Sequence, residues 1–524
     1  MAVRRRVLAA ERPTSSSHSG PGPVRAAVVY PGGYSEGMAT LSVHRLLELF
    51  NCAPCKVERV FSFPRLSDLT RSIETASPLG DFDLLLVTVP FELQYFDLAA
   101  MLEAGGVPAA ADERAEGDPV VLAGGPAPSG NPAPIAAMAD LVFVGEIEAQ
   151  ADAIRQALRD AVADGGSRQA FLDALRSVPG MLDCAAWRAG KLEARVQRQW
   201  ELGADSVAHT VIVAPEAELS GRGLIEVARG CPHACKFCLA RQLYYPFRPG
   251  SVEAVGAAME ELAGVASAVG LVAPSFADHP QALQLVERAV ALGLEVSVSS
   301  LRTDRLPRDA RLLELLAQAG QRTITLAPEA GTESLRQGIA KPLAEERLEE
   351  AVRVIAGTGF ARLKLYFMLG LPGETDDDVE AIAHLLARLR RLAPKLELAA
   401  SVACFVPKGH TPFAGEVLPE EAVLRRRLRK LQALAGREGV DVDLPSLRSA
   451  RLQALLSRGG LEIAGAVVAA GRGRRPGGAF ERQLEEAGLG VREYWRRGSP
   501  EPGWTVVDLT HRRATDPGSV PQDG

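Results

Sequence analysis

The sequence predicts an α/β protein: a doubly wound, Rossmann-like parallel sheet, then a partial (β/α)6 barrel, and last a small, mainly helical C-terminal region. Three observations lead to this fold class. Short, nearly continuous apolar runs alternate with helical patterns, which is typical of parallel sheets. A polar break at Asp164-Gly165-Gly166-Ser167 separates two such series. The length of 524 residues suits about three units at roughly 150 residues each.

Composition narrows the class of protein. The chain is 47% hydrophobic and 24% charged with a net charge of -6, so we expect no broad nucleic-acid footprint, and only a local basic groove stays open. Seven cysteines without a disulfide framework indicate a reducing, cytoplasmic compartment. No apolar run reaches the roughly 18 residues of a membrane span. Residues 1–23 lack the apolar core of a signal peptide and are predicted to be disordered.

Residues 24–163 form the first predicted domain. Five apolar runs are interpreted as its strands, and a helical pattern between the first two spans Leu41 to Phe50. The runs are 24–30, 56–61, 83–89, 119–123 and 141–144. Ligands of doubly wound sheets bind beyond the carboxyl ends of the strands. The loop residues chosen there as cofactor-binding candidates are Thr88, Gly124, Gly125, Gly145 and Glu146.

Residues 164–215 form a predicted connector with one helix and a hairpin that bridge the two main domains. Cys184 within it is isolated, which favours a small core residue over a ligand. Cys52 and Cys55 in the first domain form a C-x2-C pair. Because no second pair accompanies them, we interpret them as buried or incidental, with a second metal site as the alternative.

Residues 216–422 form the predicted catalytic barrel. Six strand-like segments alternate with five helical ones, and chemistry in such barrels gathers at the carboxyl ends of the strands. The strands are predicted within 224–229, 269–274, 294–301, 322–328, 361–370 and 398–406, and the helices over 252–268, 281–291, 309–318, 344–356 and 377–390.

Residues 423–524 form the predicted C-terminal region, with helices over 424–436, 447–458 and 479–487. The run Arg425-Arg426-Arg427 is interpreted as a solvated helix face, with RNA binding as the alternative. Trp495 and Trp504 are predicted to dock this region onto the barrel, and the last dozen residues are predicted to be disordered.

The chemistry is concentrated directly after the first barrel strand. The stretch EVARGCPHACKFCLAR places Cys231, Cys235 and Cys238 in a C-x3-C-x2-C array. Thiolates select zinc, copper(I) or iron–sulfur clusters. A closed structural zinc site needs four ligands, and no second pair follows. A cubane cluster on three cysteines leaves one iron open to a ligand. The array therefore favours such a cluster over the zinc alternative.

With the aromatic Phe237 before its last cysteine, the array resembles that of the radical S-adenosylmethionine (SAM) enzymes. The resemblance implies a [4Fe-4S] cluster on Cys231, Cys235 and Cys238, whose open iron chelates the amino and carboxylate groups of SAM. One electron then cleaves SAM to a 5′-deoxyadenosyl radical. It also implies an electron donor such as flavodoxin or ferredoxin. The strand and helix order fits the six-stranded barrel of this family along its full length.

The barrel strand ends then supply candidates for SAM binding by the same resemblance. The family's Gly-Gly-Glu-like segment is replaced by residues 273–279, which turns Asp278 and His279 into substrate-side candidates, with helix capping as the alternative for Asp278. Glu329 lies in a segment similar to the family's Glu-Ser-Gly. The chosen cofactor-side residues are Phe237, Pro274, Ser275, Ser299, Arg302, Glu329 and Gly370, the last in a turn similar to Gly-Leu-Pro-Gly-Glu.

Two further segments extend the resemblance. Lys408 and His410 lie in a segment similar to Pro-Lys-x-x-Thr-Pro-Phe, and we expect them to face substrate or a tetrapyrrole, with a helix-end or surface role as the alternative. Gly124-Gly125-Pro126 and Gly145-Glu146 look like the cobalamin-binding-type domain that precedes many such barrels. No D-x-H-x-x-G segment is present. Cobalamin binding and a domain that only packs on the barrel both stay open.

The resemblance implies hydrogen abstraction from an unactivated carbon and, if cobalamin is bound, methyl transfer to it. One alternative is an RNA-modifying enzyme similar to the methylthiotransferases. Those relatives carry three further N-terminal cluster cysteines and a basic C-terminal β-barrel, and neither pattern is found in this sequence. The other alternative is a non-catalytic protein that binds a cluster or cofactor. The substrate is not identified.

Overall fold

The structure is a computed structural model that describes residues 2–17, 20–62, 70–201, 203, 205–219, 221–299, 301–303, 306, 310–473 and 475–510. It begins with α1 (Ala2–Ala10) and β1 (Arg12–Pro13). Val7 of α1 is buried in the core of the first domain, and Arg4 donates to the Glu74 carbonyl at 2.8 Å. The disorder predicted for residues 1–23 is therefore wrong for α1 and β1, because this segment buries an apolar side chain and packs on the first domain.

A six-stranded sheet forms the centre of the first domain. Its strands are β2 (Val24–Tyr30), β3 (Cys55–Phe61), β4 (Leu84–Thr88), β5 (Val120–Gly124), β6 (Leu141–Phe143) and β7 (Met181–Asp183). Their spatial order is β3-β2-β4-β5-β6-β7, with β2 to β6 parallel and β7 antiparallel to β6. The predicted doubly wound sheet is confirmed. The edge strand β7 was missed because Met181-Leu182-Asp183 does not form a continuous apolar run.

Helices cover both faces of this sheet. They are α2 (Tyr34–Gly37), α3 (Leu41–Phe50), α4 (Gln94–Ala104), α5 (Pro126–Gly130), α6 (Ala151–Ala163) and α7 (Arg168–Arg176). Alternate strand residues point to opposite faces. Val28 therefore packs with Phe50 and Leu158 of α3 and α6, whereas Val29 packs with Leu98 of α4.

The connector does not form the predicted hairpin within its described residues. After β7 it contains α8 (Cys184–Arg188), β8 (Val196–Gln197) and β9 (Ile212–Val213). β9 pairs antiparallel with β1, and β8 pairs in parallel with residues 507–508. Each short strand has a partner far away in the sequence, which no local pattern could reveal. Cys184 is a fully buried free thiol, as expected for a core residue.

The second domain is a partial parallel barrel, as predicted, and no closed barrel forms in the described residues. It consists of two sheets, β10-β13-β14 and β15-β16-β17-β18, joined by one parallel bridge between Leu301 and Leu326. The strands are β10 (Gly223–Glu226), β13 (Ala268–Val272), β14 (Glu295–Val298), β15 (Thr323–Glu329), β16 (Arg362–Leu369), β17 (Glu397–Cys404) and β18 (Asp441–Asp443); between β10 and β13 lie β11 (Ala228–Arg229) and β12 (Arg248–Pro249).

The helices of the barrel lie outside its sheets. They are α9 (Leu239–Tyr244), α10 (Val252–Ala263), α11 (Ala282–Ala291), α12 (Ala310–Gln318), α13 (Glu333–Gly338), α14 (Glu345–Gly357) and α15 (Asp376–Leu392). Because alternate residues of a strand point to opposite faces, one set of strand side chains packs on the helices and the other set faces the interior. Leu363, Leu365 and Phe367 of β16 are buried in the core beneath the helices. Tyr366 points the other way and is 39% exposed. Side chains on this inner face are thus accessible to a ligand.

The C-terminal region is mainly helical in its described part. Its helices are α16 (Glu421–Arg437), α17 (Leu447–Arg458), α18 (Ala464–Gly471), α19 (Pro476–Glu486) and α20 (Val491–Arg497), and β19 (Val507–Asp508) is the partner of β8. Leu455, Val467 and Phe480 share one core with the first sheet. This region therefore packs on the first domain as well as on the barrel. The predicted disordered tail lies outside the described residues.

Trp495 is buried in the core shared with the first domain, whereas Trp504 contacts Gly409 in the loop after β17. The core that contains Trp495 also includes Phe405 and Phe413, which follow the barrel strand β17, and Trp504 contacts the same loop. No helix in the described ranges is long and apolar enough to cross a membrane.

Candidate functional site

The cysteine array lies on a loop, here called the cluster loop (residues 230–247), between β11 and β12. Cys231, Cys235 and Cys238 are half-buried free thiols. The Lys236 amide donates to the Ile339 carbonyl at 3.1 Å, which ties the loop to the end of α13. The three thiols are thereby presented at the carboxyl edge of the barrel, where parallel barrels carry their chemistry.

One cavity of about 260 Å³ contains all three cysteines, and we call it the cluster cavity. It also contains most of the residues predicted for SAM: Phe237, Pro274, Ser275, Arg302 and Glu329. The loops after β13 and β14 and the end of β15 supply the last four of these. The structure thus brings together, in one cavity, residues that were predicted at the ends of separate strands.

Three thiols on one short loop are the kind of ligands that hold an iron–sulfur cluster. A cubane bound by three thiolates leaves one iron open to a further ligand. Burial raises the pKa of the Cys231 and Cys235 thiols, and the charge of Arg302 acts in the opposite direction. The donor set therefore fits an iron–sulfur cluster.

Glu329 has an ion-pair partner that the sequence did not reveal. Lys341 donates to its Oε1 at 2.7 Å. The Glu329 backbone has a φ of 69° at an irregularity in the pairing of β15 with β16. A non-glycine residue in the left-handed region stores strain of about 1–3 kcal/mol, which is common at ligand sites. Lys341 does not stand at the end of a predicted strand, and for that reason it was not among the predicted site residues.

His233 is a second residue of the cluster cavity that sequence reasoning missed. Its Nε2 lies 2.5 Å from Asp278 Oδ2, and Ser275 donates to the same oxygen at 2.6 Å. Asp278 therefore binds two residues of the cavity wall, and the capping alternative is wrong, because α11 begins at Ala282 after Gln281. In the sequence, the one indication that His233 belongs to the site is its position between Cys231 and Cys235.

Besides Asp278, three other predicted residues of the barrel strand ends are not among those that line the cluster cavity. Ser299 donates to the Ala273 carbonyl at 3.3 Å. Gly370 has a φ of 87°, and its amide donates to Glu374 at 2.8 Å, so it shapes a turn. His279 is buried beside the Gly250 carbonyl at 3.1 Å. In each case the side chain or amide already has a structural partner.

Lys408 and His410 also lie outside the cluster cavity. Lys408 donates to Glu92 of the first domain and to Ser457 of α17, so it joins three regions of the chain. His410 is half-buried, and the desolvation of its ring lowers its pKa to about 4. That the two face substrate or a tetrapyrrole stays a prediction; Lys408 already pairs with Glu92 of the first domain, and neither residue lines the cluster cavity.

A second cavity of about 230 Å³ lies at the carboxyl edge of the first sheet, and we call it the sheet-edge cavity. It is lined by all five candidates of the first domain: Thr88, Gly124, Gly125, Gly145 and Glu146. Apolar side chains such as Leu86, Leu122 and Phe143 make up much of its wall. The Ser42 and Thr88 hydroxyls are bonded to each other at 2.8 Å.

Paired charges close one side of the sheet-edge cavity. Glu146 and Glu148 of the first domain accept from Arg229 of the barrel at 3.1 and 2.9 Å. Arg45 donates to Glu148 at 3.2 Å. The charged side chains at this rim thus bind one another across the domain boundary, and Glu146 is an ion-pair partner within the protein as well as a cavity residue.

The fold and the site together define the class of protein: a parallel-barrel protein that presents three thiolates for an iron–sulfur cluster. Comparison with known proteins is more specific. Residues 55–182 match the family model for the N-terminal region of radical SAM proteins, and residues 225–386 match that of the radical SAM superfamily. The chain is a radical SAM protein.

Individual relatives are distant. An uncharacterised protein of Methanocaldococcus jannaschii is 29% identical over 441 residues, which cover 83% of this chain and 88% of that protein. The cobalamin-dependent SAM radical enzyme OxsB, solved with aqua-cobalamin and SAM bound, is 15% identical with a TM-score of 0.47 over 81% of this chain. This chain spans 58% of the OxsB chain. Coproporphyrinogen III oxidase of Escherichia coli is 16% identical with a TM-score of 0.31, covering 40% of this chain and 51% of that one.

Proposed function

We propose that this radical SAM enzyme cleaves SAM reductively in the cluster cavity and uses the resulting radical to abstract hydrogen from an unactivated carbon of its substrate. The observation that carries the proposal is the presence of Cys231, Cys235 and Cys238 in one cavity with the strand-end residues Ser275, Arg302 and Glu329. A bound cluster supplies one electron to a C–S bond of SAM, which yields methionine and a 5′-deoxyadenosyl radical.

The residues of the chain have separate roles in this proposal. The three thiolates hold the cluster. Arg302 and Lys341 supply positive charge to a cavity that takes a carboxylate, and Glu329 accepts from an ammonium group or a ribose hydroxyl. Tyr366 is exposed on the inner barrel wall and lines the same cavity, so it faces the substrate. The cavity wall limits the access of water to the radical.

An experiment on SAM itself tests the proposal. The protein is reconstituted anaerobically with iron and sulfide, reduced, and incubated with SAM, and 5′-deoxyadenosine is quantified. We expect formation of 5′-deoxyadenosine that depends on the cluster, since SAM cleavage without substrate separates an enzyme from a protein that only stores a cluster. The absence of 5′-deoxyadenosine with a full cluster would favour the non-catalytic alternative.

The RNA-modifying alternative has less support. Residues 421–473 and 475–510 contain five helices and two short strands instead of a β-barrel. Arg426 and Arg427 both bind Asp376, so part of the basic run is used within the protein.

We propose a reducing, cytoplasmic setting with flavodoxin or ferredoxin as the electron donor, because the cluster requires a one-electron reductant.

Cobalamin-dependent methyl transfer is the second candidate, favoured by one observation: the five residues predicted for cobalamin line one cavity. The fit is incomplete. Small-molecule sites usually measure about 300–1,000 Å³, cobalamin is a large ligand, and the sheet-edge cavity measures about 230 Å³ behind a rim of ion pairs. The cavity is therefore too small to enclose a whole cobalamin. Purification with added cobalamin followed by a cobalt count tests this candidate; stoichiometric cobalt would support it.

A further inference from the structure

The cluster loop leaves and re-enters the barrel through a narrow neck. β11 and β12 pair antiparallel there, with Ala228 opposite Pro249 and Arg229 opposite Arg248. Residues 230–247, with all three cysteines, lie between these two strands. A ladder of two residues per strand has little stability of its own. The position of the cysteines therefore depends on what holds the neck together.

Two like charges face each other at this neck. Arg229 and Arg248 are direct partners in the ladder, and like charges at such positions repel. One carboxylate of the first domain bridges them. Glu146 accepts from Arg248 at 2.5 and 2.8 Å through its two oxygens, and from Arg229 at 3.1 Å. The Glu146 side chain is only 3% exposed, so water screens this pairing little.

The two arginines differ in what else they bind. Arg229 also donates to Glu148 at 2.9 Å and to Glu226 at 2.5 Å. In the described part of the chain, Arg248 forms an ion pair with Glu146 alone, and its other acceptors are the carbonyls of Tyr244, Glu201 and Pro246. Glu146 is therefore the carboxylate that joins both strands of the neck.

The first domain holds this carboxylate in a fixed place. Gly145 has a φ of 119°, and a Cβ atom there would stand 2.1 Å from the Gln199 carbonyl oxygen. The Glu146 amide donates to that same carbonyl at 2.9 Å. Backbone geometry thus directs Glu146 at the neck from a rigid strand end.

We propose that Glu146 of the first domain positions the cluster loop of the barrel by bridging Arg229 and Arg248 at the loop's neck. This role rests on the proposed function only in that the loop carries the cluster ligands. It gives the first domain a task that requires no cofactor of its own. Glu146 is a positioning residue, because it acts on the cysteines through the two arginines.

Hydrogen–deuterium exchange of the full-length protein without a cluster tests the role directly. In Glu146→Gln we expect peptides within residues 230–247 to exchange about 10- to 100-fold faster than in wild type. Arg248 loses its carboxylate partner but keeps the carbonyls of Tyr244, Glu201 and Pro246 as acceptors, so the effect is smaller than for a buried charge without any acceptor. The reporters are the Lys236 and Cys238 amides, which donate to the Ile339 and Cys235 carbonyls. Because the experiment needs neither cluster nor SAM, it is independent of the proposed chemistry.

Two control variants separate positioning from general destabilisation. Glu92→Gln breaks another buried ion pair between the domains, that with Lys408, away from the neck. Glu148→Gln breaks contacts with Arg45 and Arg229 but leaves the bridge intact. We expect both to leave exchange of the cluster loop within about twofold of wild type after correction for global stability. Equal acceleration in all three variants, or unchanged exchange in Glu146→Gln, would overturn the proposal.

A second readout is the iron content after reconstitution at limiting iron. Glu146→Gln should assemble its cluster several-fold more slowly than Glu92→Gln, because its thiols are less preorganised. If Glu146→Gln fails to fold, Arg248→Met provides the same test from the other side of the bridge. Loop exchange in that variant equal to wild type would contradict the role assigned to Glu146.

Discussion

The sheet-edge cavity and the cluster cavity lie at the carboxyl ends of two parallel sheets, with volumes of about 230 and 260 Å³. Their walls differ in chemistry. Leucines, backbone glycines and mutually paired charges line the first. Three free thiols, Arg302 and the Glu329–Lys341 pair line the second, which also reaches the exposed face of Tyr366.

The difference shows that topology alone does not make a reactive site. Both cavities occupy the place where ligands bind in parallel sheets. Of the two cavities, the cluster cavity is the one lined by thiols, which can hold an iron–sulfur cluster. The first domain instead directs its buried carboxylate, Glu146, at the barrel. Four predictions test this difference between the two cavities.

The largest effect is expected from loss of a cluster thiol. Cys235→Ala should abolish both the cluster and SAM cleavage, because no neighbouring side chain can replace the thiolate. The measurement is iron and sulfide content together with 5′-deoxyadenosine formation. Cys184→Ala is the matched control, since Cys184 is buried in the core shared with the first sheet and does not line the cavity. Full iron content in Cys235→Ala would place the cluster elsewhere.

The next effect concerns the wall of the sheet-edge cavity. Gly145→Ala should lower the free energy of unfolding by about 4 kcal/mol, from backbone strain and a clash with Gln199. Thermal or urea unfolding measures the loss. Gly165→Ala also forces a positive φ, of 94°, but into open space, so it should cost only about 1–2 kcal/mol. Equal losses would mean that the contact with Gln199 is not tight.

A smaller effect is expected from the polar wall of the cluster cavity. Glu329→Gln removes the negative charge next to Lys341, and we expect the Kd for SAM to rise about 10- to 100-fold, the range for a hydrogen bond to a charged group. Equilibrium dialysis of the reconstituted protein measures it. Glu333→Gln, four residues further along on α13, should bind SAM like wild type. An unchanged Kd in Glu329→Gln would remove Glu329 from the binding site.

The smallest effect is a pH dependence from the first domain. His44 is fully buried beside the Met38 carbonyl, and burial lowers its pKa to about 4. The unfolded chain takes up this proton near pH 6.5, so stability is lost as the pH falls from 6.5 towards 4. The loss is about 2 kcal/mol at pH 5. Urea unfolding at pH 7.5 and 5 should show a loss that is about 2 kcal/mol smaller in His44→Gln than in wild type, because His410, whose pKa is also lowered to about 4, adds a loss of its own in both proteins. An equal loss in the two proteins would assign the pH dependence to groups other than His44.

Much of this architecture could be predicted because apolar runs and helical periodicity are local signals. The strands β2 to β6 and the barrel strands are long enough to show them, and the cysteine array is a local motif. The neck of the cluster loop could not be predicted. β11 and β12 have two residues each, and Glu146 and Arg248 lie 102 positions apart.

The candidate site was predictable at the ends of the predicted barrel strands, as for Ser275 and Glu329. Residues that do not stand at such strand ends were not predictable. Two examples are Lys341, which pairs with Glu329, and His233, which pairs with Asp278. Gly370 carried a family-like turn, yet its amide binds Glu374 and the turn stands apart from the cavity lining. A turn motif fixes local backbone shape, whereas the packing of distant segments decides what that backbone faces.

The central claim is that the cluster cavity holds a cluster with an open iron that binds SAM. The most direct measurement is an iron count with an electron paramagnetic resonance spectrum of the reduced, reconstituted protein before and after addition of SAM. We predict about four iron atoms per chain and a spectrum that changes when SAM binds the open iron. A protein that assembles no cluster, or a cluster whose spectrum SAM leaves unchanged, would contradict the claim.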